Sequence, residues 1–122
     1  MSEPRITSFE EFWPFYVKEH LNPLNRTLHF IGSSSALACV LGAVAAGQWW
    51  MLPAAPLVGY GFAWFGHFVI EKNKPASFKY PLWSFKADWI MWFKILTGQM
   101  NAEVRRIVGD EPEPTNTHPS LN

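Results

Sequence analysis

Residues 32–70 contain no lysine, arginine, aspartate or glutamate, and this uncharged stretch limits the possible folds more than any other feature of the chain. It comprises most of two long apolar segments, 28–46 and 51–70, on either side of a short connection at 47–50. A helix over 28–46 would be about 28 Å long at 1.5 Å per residue, close to the ~30 Å hydrocarbon core of a bilayer. We therefore predict two transmembrane helices that form a membrane helical hairpin.

The composition agrees with a membrane protein rather than a soluble one. Seven Trp and ten Phe occur among 122 residues, and aromatic rings favour the bilayer interface. The formal net charge is zero, so no nucleic-acid partner is expected. The single cysteine, Cys39, excludes a disulfide framework or a thiolate metal cluster. The N-terminal residues are charged and aromatic throughout, unlike a cleavable signal peptide.

Amphipathic helices are predicted on both sides of the hairpin, at about 9–20 and 83–97. Ser8 and Glu11 can form a capping box at the start of the first helix, whereas Pro14 must kink that helix or delay its regular part. The second helix has aromatic residues at helical spacing together with charges that oppose a third span. We place both helices at the membrane interface, although an ordinary packed helix fits 9–20 equally well.

The fold class is therefore all-α, with a single helical membrane domain at 1–108. A short polar helix is predicted at 100–108, and the Pro, Glu, Thr and Asn content of 109–122 predicts a disordered tail that includes His118. Asn25 is expected to cap the first span. The hairpin tip is uncharged, whereas lysines and arginines flank its open end, so the positive-inside rule places both termini in the cytoplasm.

The hairpin topology predicts a metal site, because antiparallel spans return to the same membrane face. The residues that meet there are His20, His29, His67 and Glu71. Imidazoles with one carboxylate suit a transition metal, and two histidines with a carboxylate and open positions form the Fe(II) pattern that activates oxygen. Zinc is compatible with the same donors.

Simpler interpretations remain open at this stage. Any one of these histidines could be an interfacial anchor or a buried side chain with satisfied hydrogen bonds. Glu71 could pair with a nearby cation, and such exposed pairs contribute about 0–1 kcal/mol. The combination of three histidines and an acid favours the metal site only through the predicted topology.

Three motifs resemble a known family. The first has the form H-x4-N-x3-H-x2-G and consists of His20, Asn25, His29 and Gly32. The second consists of Gly66, His67, Glu71, Asn73 and Pro75, and the third of Pro81, Ser84 and Asp88. Together they resemble the membrane 2-hydroxy fatty acid dioxygenase family related to the fungal alpha-oxidation enzyme, in its short bacterial form. The resemblance covers about residues 9–97.

The resemblance implies an Fe(II)-dependent dioxygenase that uses O2 to shorten a 2-hydroxy fatty acid by one carbon. It implies His20, His29 and His67 as metal ligands, and Glu71 as a fourth ligand or as a partner that orients an imidazole. By the same resemblance, Asn25 and Asn73 would orient ligands or hold loops.

Two further residues are expected near the site. Asp88 could complete the site or form a salt bridge with Lys86 or an arginine. Arg26 could bind the substrate carboxylate or simply anchor the chain at the cytoplasmic face.

The expected partners are the 2-hydroxy fatty acid, O2 and the lipid bilayer, and the expected location is the bacterial inner membrane with the site on the cytoplasmic side. Two other functions are compatible with the sequence. One is a small membrane adaptor without catalysis. The other is a zinc-dependent membrane hydrolase, for which no serine or cysteine nucleophile motif is present.

Overall fold

The computed structural model describes residues 5–109, and all regular secondary structure in that range is helical, which confirms the all-α class. The helices are α1 (Phe9–Lys18), α2 (Pro23–Ala46), α3 (Met51–Phe65), α4 (Pro81–Leu96) and α5 (Met100–Val108). A π-helical turn, Gly66–Glu71, directly continues α3, and a short 3-10 turn, Ala76–Phe78, precedes α4. Apart from Gly109, the predicted disordered tail lies outside the described residues.

Helix α1 starts where the capping residue predicts. The Ser8 hydroxyl accepts a hydrogen bond from the Glu11 amide at 3.2 Å, which satisfies one of the free amides at the helix start. Pro14 lies inside the helix without ending it. Regular helix stops at Lys18, so His20 lies just beyond it in the connection to α2.

Helix α2 begins earlier than predicted. Asn22 caps it, because its Oδ1 accepts from the Leu24 amide at 2.8 Å, and Pro23 occupies the first helical position. The expectation that Asn25 caps this helix is therefore wrong; Asn25 lies within the first turn and is fully buried. At the other end Gly47 adopts the left-handed conformation, with φ +67°, that commonly ends helices.

Helices α2 and α3 pack antiparallel, and small residues let them approach closely. A Cβ placed on Gly32 would lie 2.8 Å from the Phe62 Cβ and 3.1 Å from the Gly59 carbonyl oxygen. Because only glycine avoids these contacts, Gly32 sets the separation of the two helices at this point.

Among the described residues, one helix is long and apolar enough to cross a membrane. This helix is α2, with 24 residues and a mean hydropathy of 1.7 in its most apolar window. The second predicted span, 51–70, is divided into α3, of 15 residues, and the π-helical turn. The structure thus shows the predicted hairpin as a pair of packed helices. Of these two, only α2 is long and apolar enough to cross a membrane.

The apolar core lies where α1, α4 and α5 meet, and we call it the three-helix core. Its buried members are Phe12, Tyr16, Val17, Ala76, Tyr80, Ala87, Met91, Met100 and Ile107. Phe12 is fully buried, and its ring meets the Tyr80 ring edge-on at 5.4 Å. The Trp92 indole donates to the Ser34 hydroxyl at 2.9 Å, which fixes α4 against α2.

Candidate metal centre

Three histidines from three different segments meet inside the protein. His20 follows α1, His29 lies in the second turn of α2, and His67 is the second residue of the π-helical turn. Their exposed fractions are 1%, 5% and 2%, so all three imidazoles are shielded from solvent. The antiparallel packing of α2 and α3 brings together residues that are 38 positions apart in the chain, as the topology predicts.

The three imidazoles form one compact group. One ligand nitrogen from each ring lies within 4.8 Å of those of the other two, and the His20 and His29 Nε2 atoms are 3.2 Å apart. The ring centroids are separated by 4.5, 4.5 and 5.0 Å, with the planes nearly perpendicular to one another. This arrangement surrounds a common point rather than forming a stack.

Hydrogen bonds fix the tautomer of each ring. The Nδ1 atom of His20 faces the Tyr16 carbonyl at 2.6 Å, and that of His29 faces the Asn25 carbonyl at 3.1 Å. His67 Nδ1 faces the Asn73 side-chain oxygen at 2.7 Å. All three partners can only accept, so each Nδ1 must carry the proton. Each Nε2 is then left with a lone pair, which is the form that binds a metal.

The donor set fits a transition-metal ion. Two unprotonated nitrogens 3.2 Å apart repel each other unless a cation lies between them. Nitrogens that bind one zinc ion at about 2.1 Å would lie roughly 3.0–3.4 Å apart at octahedral or tetrahedral angles. Burial and the two neighbouring imidazoles hold the pKa of His20 well below its usual range, so the ring stays neutral and able to bind. The space bordered by the rings is about 10 Å³, on the order of one water or ion.

The π-helical turn places Asn73 against His67. After Glu71 the chain reverses at Lys72, which has φ +62°, and the Asn73 amide donates to the His67 carbonyl at 2.9 Å. This contact turns the Asn73 side chain back onto the imidazole, while its Nδ2 donates to the Glu19 carbonyl at 3.3 Å. Asn73 therefore joins two of the histidine-bearing segments, as expected for a residue that orients a ligand.

Glu71 does not belong to the imidazole group. Its Oε2 accepts from the Asn22 amide at 2.6 Å and from the Asn25 side-chain amide at 3.4 Å. Glu71 thus contacts the side chain of Asn25, whereas the carbonyl of the same residue faces His29 Nδ1. Both expected roles of Glu71, as a fourth ligand or as a partner behind an imidazole, stay predictions.

Asn25 also explains a glycine in the second motif. A Cβ on Gly66 would lie 1.8 Å from the Asn25 Oδ1, an impossible contact. That oxygen is buried, and within residues 5–109 it has no hydrogen-bond partner. The π-helical turn can lie against Asn25 only because its first residue has no side chain.

Arg26 has a place that neither expectation described. Its Nη1 donates to the carbonyls of His20 and Leu21 at 2.7 and 2.9 Å, and its Nη2 donates to the Asn101 side-chain oxygen at 3.3 Å. The guanidinium holds the segment that carries His20 and ties it to α5. Its partners are thus the carbonyls of His20 and Leu21 and the Asn101 side chain, and a role in binding the substrate carboxylate stays a prediction.

Asp88 borders the imidazole group from α4. It accepts a short hydrogen bond from the Tyr16 hydroxyl, whose ring stacks on His20 at 4.1 Å. The Lys86 ammonium instead lies over the Phe9 ring, 4.3 Å from its centre. Burial raises the pKa of the Asp88 carboxyl to about 7, with the Tyr16 hydrogen bond acting in the opposite direction.

Two residues at this site were missed at the level of sequence. Tyr16 lies in the predicted amphipathic helix 9–20 and Ser84 in the third motif, but the sequence alone predicts no role for either. The Ser84 hydroxyl is buried beside the three imidazoles, and it has no hydrogen-bond partner among the described residues. The signal available for Ser84 was its place in the third motif, four residues before Asp88; Tyr16 had a comparable signal, since it precedes His20 by four residues.

An apolar cavity of about 300 Å³ adjoins the imidazole group. It lies between α2, α3 and α4, and His29, Tyr60, Ala63 and Asp88 border both spaces. The histidines therefore have a polar side, formed by Asp88 and Ser84, and an apolar space beside it.

The comparisons with known proteins agree with these motifs. Residues 6–100 match the family model described as 2-hydroxy-palmitic acid dioxygenase Mpo1-like, and this range includes every residue of the site described above. No curated protein and no solved structure matches the chain. Since the match covers most of the 122 residues, the chain belongs to the 2-hydroxy-palmitic acid dioxygenase Mpo1-like family.

Proposed function

We propose that this protein is an Fe(II)-dependent membrane dioxygenase that uses O2 to shorten 2-hydroxy fatty acids by one carbon. Membership of the family supports the reaction and the substrate class. The observation that carries the proposal is the grouping of three buried imidazoles, those of His20, His29 and His67, in which one ligand nitrogen of each ring lies within 4.8 Å of those of the other two. Buried, neutral imidazoles with fixed tautomers suit iron and serve no evident purpose in a structural adaptor.

Iron bound by the three imidazoles would supply the site at which O2 and the 2-hydroxy acid react. The residues behind the ligands keep the rings in place. Carbonyls of Tyr16 and Asn25 and the Asn73 side chain hold the three Nδ1 protons, so each lone pair keeps its direction. Arg26 and Glu71 in turn hold the backbone on either side of these contacts.

The polar end of the substrate would meet Asp88 and Ser84. Both border the imidazole group, and the free Ser84 hydroxyl can donate to a carboxylate or accept from a hydroxyl. In the metal-free protein burial raises the pKa of the Asp88 carboxyl to about 7, and in its protonated form this carboxyl can donate a hydrogen bond as well as accept one. Orientation of C1 and C2 beside the metal is the contribution that such contacts make to the rate.

The membrane location belongs to the same proposal. The outer faces of α2 and α3 expose large apolar side chains, for example Leu41, Val44 and Leu57 at 59%, 64% and 76%. Lipid tails would cover such a surface better than water. We propose the bacterial inner membrane as the location. By the positive-inside rule, the lysines and arginines at the open end of the helix pair favour an orientation with the termini and the histidines at the cytoplasmic side.

Metal analysis and oxygen uptake test the proposal together. Protein purified in detergent and loaded with iron without oxygen should bind one Fe(II) per chain. In air it should consume O2 with 2-hydroxypalmitic acid and release a product shorter by one carbon, identified by mass. H67A should lose both the iron and the oxygen uptake.

The outcomes separate the three functions. Absence of bound metal after loading would contradict the proposal and support the adaptor. Tight zinc without oxygen uptake, together with hydrolysis of an ester or amide lipid, would support the hydrolase. N122A, at the end of the chain and away from the motifs, is the control variant and should behave as the parent protein.

A further inference from the structure

The apolar cavity beside the histidines has the form of a binding site for one hydrocarbon chain. We infer that it holds the acyl chain of the substrate, with the head at the imidazole group and the methyl end near Val40 and Leu52. This inference rests on the proposed function for the identity of the head group. The cavity itself, its lining and its length are independent of that function.

The lining runs in one direction along two helices. On α2 it comprises His29, Ser33, Ala36, Leu37 and Val40, and on α3 it comprises Leu52, Ala55, Pro56, Gly59, Tyr60 and Ala63. The spacing on each helix keeps these side chains on one face. Because the helices are antiparallel, His29 and Ala63 lie at one end, and Val40 and Leu52 at the other.

The length of this lining matches a long acyl chain. His29 and Val40 are eleven residues apart, as are Leu52 and Ala63, so the cavity extends about 16 Å along each helix. This distance is about half the ~30 Å hydrocarbon core, that is, the depth of one leaflet. The volume of about 300 Å³ is at the lower end for small-molecule sites, which suits one chain rather than two.

The chemistry changes from one end to the other. The end at the imidazole group has His29 and Asp88, and the rest of the lining is aliphatic or aromatic apart from the Ser33 and Tyr60 hydroxyls. Phe85 and Trp89 from α4 close one side. A ligand with a polar head and a long apolar tail is complementary to this arrangement, whereas a polar ligand of the same size is not.

The inference identifies Val40 as a residue that limits chain length. Val40 is 38% exposed, so a larger side chain can be accommodated there without overpacking the core. V40W should fill the far end of the cavity and leave the imidazole end free. L41W is the matched control, because Leu41 is the next residue of the same helix, is 59% exposed and does not line the cavity.

The test is equilibrium binding of two unhydroxylated probes, palmitic acid and octanoic acid, to metal-free protein in detergent. The parent protein should bind palmitic acid at least tenfold more tightly than octanoic acid. V40W should lose at least tenfold in affinity for palmitic acid and less than twofold for octanoic acid, and L41W should match the parent. L37W should show the same selective loss from a position nearer the histidines; circular dichroism shows that each variant is folded.

A second measurement locates the chain directly. Palmitic acid with a photoreactive group at its methyl end should cross-link to peptides that contain Val40 or Leu52. Equal affinities for the two probes, equal effects of V40W and L41W, or cross-links near His29 would each overturn the inference. Because neither measurement needs metal or oxygen, correct binding without oxygen uptake would refute the proposed reaction and leave the acyl site standing.

Discussion

Where α1, α4 and α5 meet, the buried side chains are aromatic and aliphatic, whereas between α2 and α3 they are histidine, asparagine, glycine and alanine. Phe12 and Met91 are almost wholly buried in the three-helix core. In α2 the buried residues include Asn25 and His29, while Leu41 and Val44 face outward. The two regions therefore have opposite distributions of polar and apolar side chains.

The difference indicates what each region contributes. Burial of a large apolar side chain contributes about 1.5–3 kcal/mol, so the three-helix core accounts for much of the stability of this end of the protein. Buried imidazoles and amides contribute little, because each must first be removed from water. The interior of the helix pair is thus compatible with the metal site that we propose, and its outward apolar surface with the proposed membrane location. Four predictions test this difference between the two regions.

The largest effect should come from F12A. Loss of a fully buried ring from the three-helix core should lower the free energy of unfolding by about 3–5 kcal/mol. The matched variant V44A, on the exposed surface of α2, should change it by less than about 1 kcal/mol. Denaturant unfolding in detergent measures both, and similar losses in the two variants would remove the distinction between the regions.

The next effect concerns the close approach at the π-helical turn. G66A would place a methyl group 1.8 Å from the Asn25 oxygen and should destabilise the fold by about 3 kcal/mol, with a displaced His29. G61A is the control in α3, the helix that the π-helical turn continues, since no atom of the described residues lies within 4 Å of its added Cβ. That control should be neutral or stabilise by about 0.5–1 kcal/mol. Thermal unfolding distinguishes the two, and equal effects would contradict the observed contact.

A smaller effect is expected from N73A, which changes the surroundings of the histidines rather than the three-helix core. Without the acceptor for His67 Nδ1, metal affinity should fall about 10–100-fold, while the fold remains intact. N73D retains an acceptor and should recover most of the affinity. A metal titration measures the affinity of each variant, and circular dichroism shows whether the variant is folded. An unchanged affinity in N73A would show that the hydrogen bond does not orient the ring.

The smallest effect is a pH dependence from Asp88. The pKa of this carboxyl is raised from 3.8 to about 7 in the folded protein, so the folded state binds the proton more tightly than the unfolded chain. Its contribution is complete below pH 4 and is lost as the pH rises towards 7. The free energy of unfolding should fall by roughly 2 kcal/mol over this range. This is about half of the value obtained at 1.36 kcal/mol per pKa unit, because part of the Asp88 side chain is exposed.

The check is D88N, which cannot ionise. Its free energy of unfolding should decline less than that of the parent between pH 4 and 7, and the difference between the two curves isolates Asp88 from the other acids. Parallel curves would show that the carboxyl titrates near its ordinary pKa.

The sequence was informative about the site where the topology is simple. Two apolar segments joined by a short turn have one antiparallel arrangement, so the meeting of His29 with His67 followed from their positions. The short helix Met100–Val108 agrees with the pattern of its residues. The family relationship followed from three motifs, of which the first overlaps the start of the first apolar segment and the second overlaps the end of the second.

Other features depend on contacts that no local pattern reveals. The hydrogen bond between Tyr16 and Asp88 joins residues 72 positions apart, across a core whose packing was not predicted. Arg26 was expected to face substrate or lipid headgroups, yet it folds back on the carbonyls beside it. His67 and Glu71 are four residues apart, a spacing that puts two side chains on one face of an α-helix, whereas the π-helical turn alters that geometry.

The π-helical turn from Gly66 to Glu71 also determines how the protein would respond to a deletion in this segment. A one-residue deletion there would let the backbone return to ordinary α-helical bonding, which is the commoner and better-packed form. It would also rotate everything downstream by about 100° and carry the Asn73 amide away from its imidazole. The shortened helix would thus be more regular, yet it would no longer hold the His67 ring in its place beside His20 and His29.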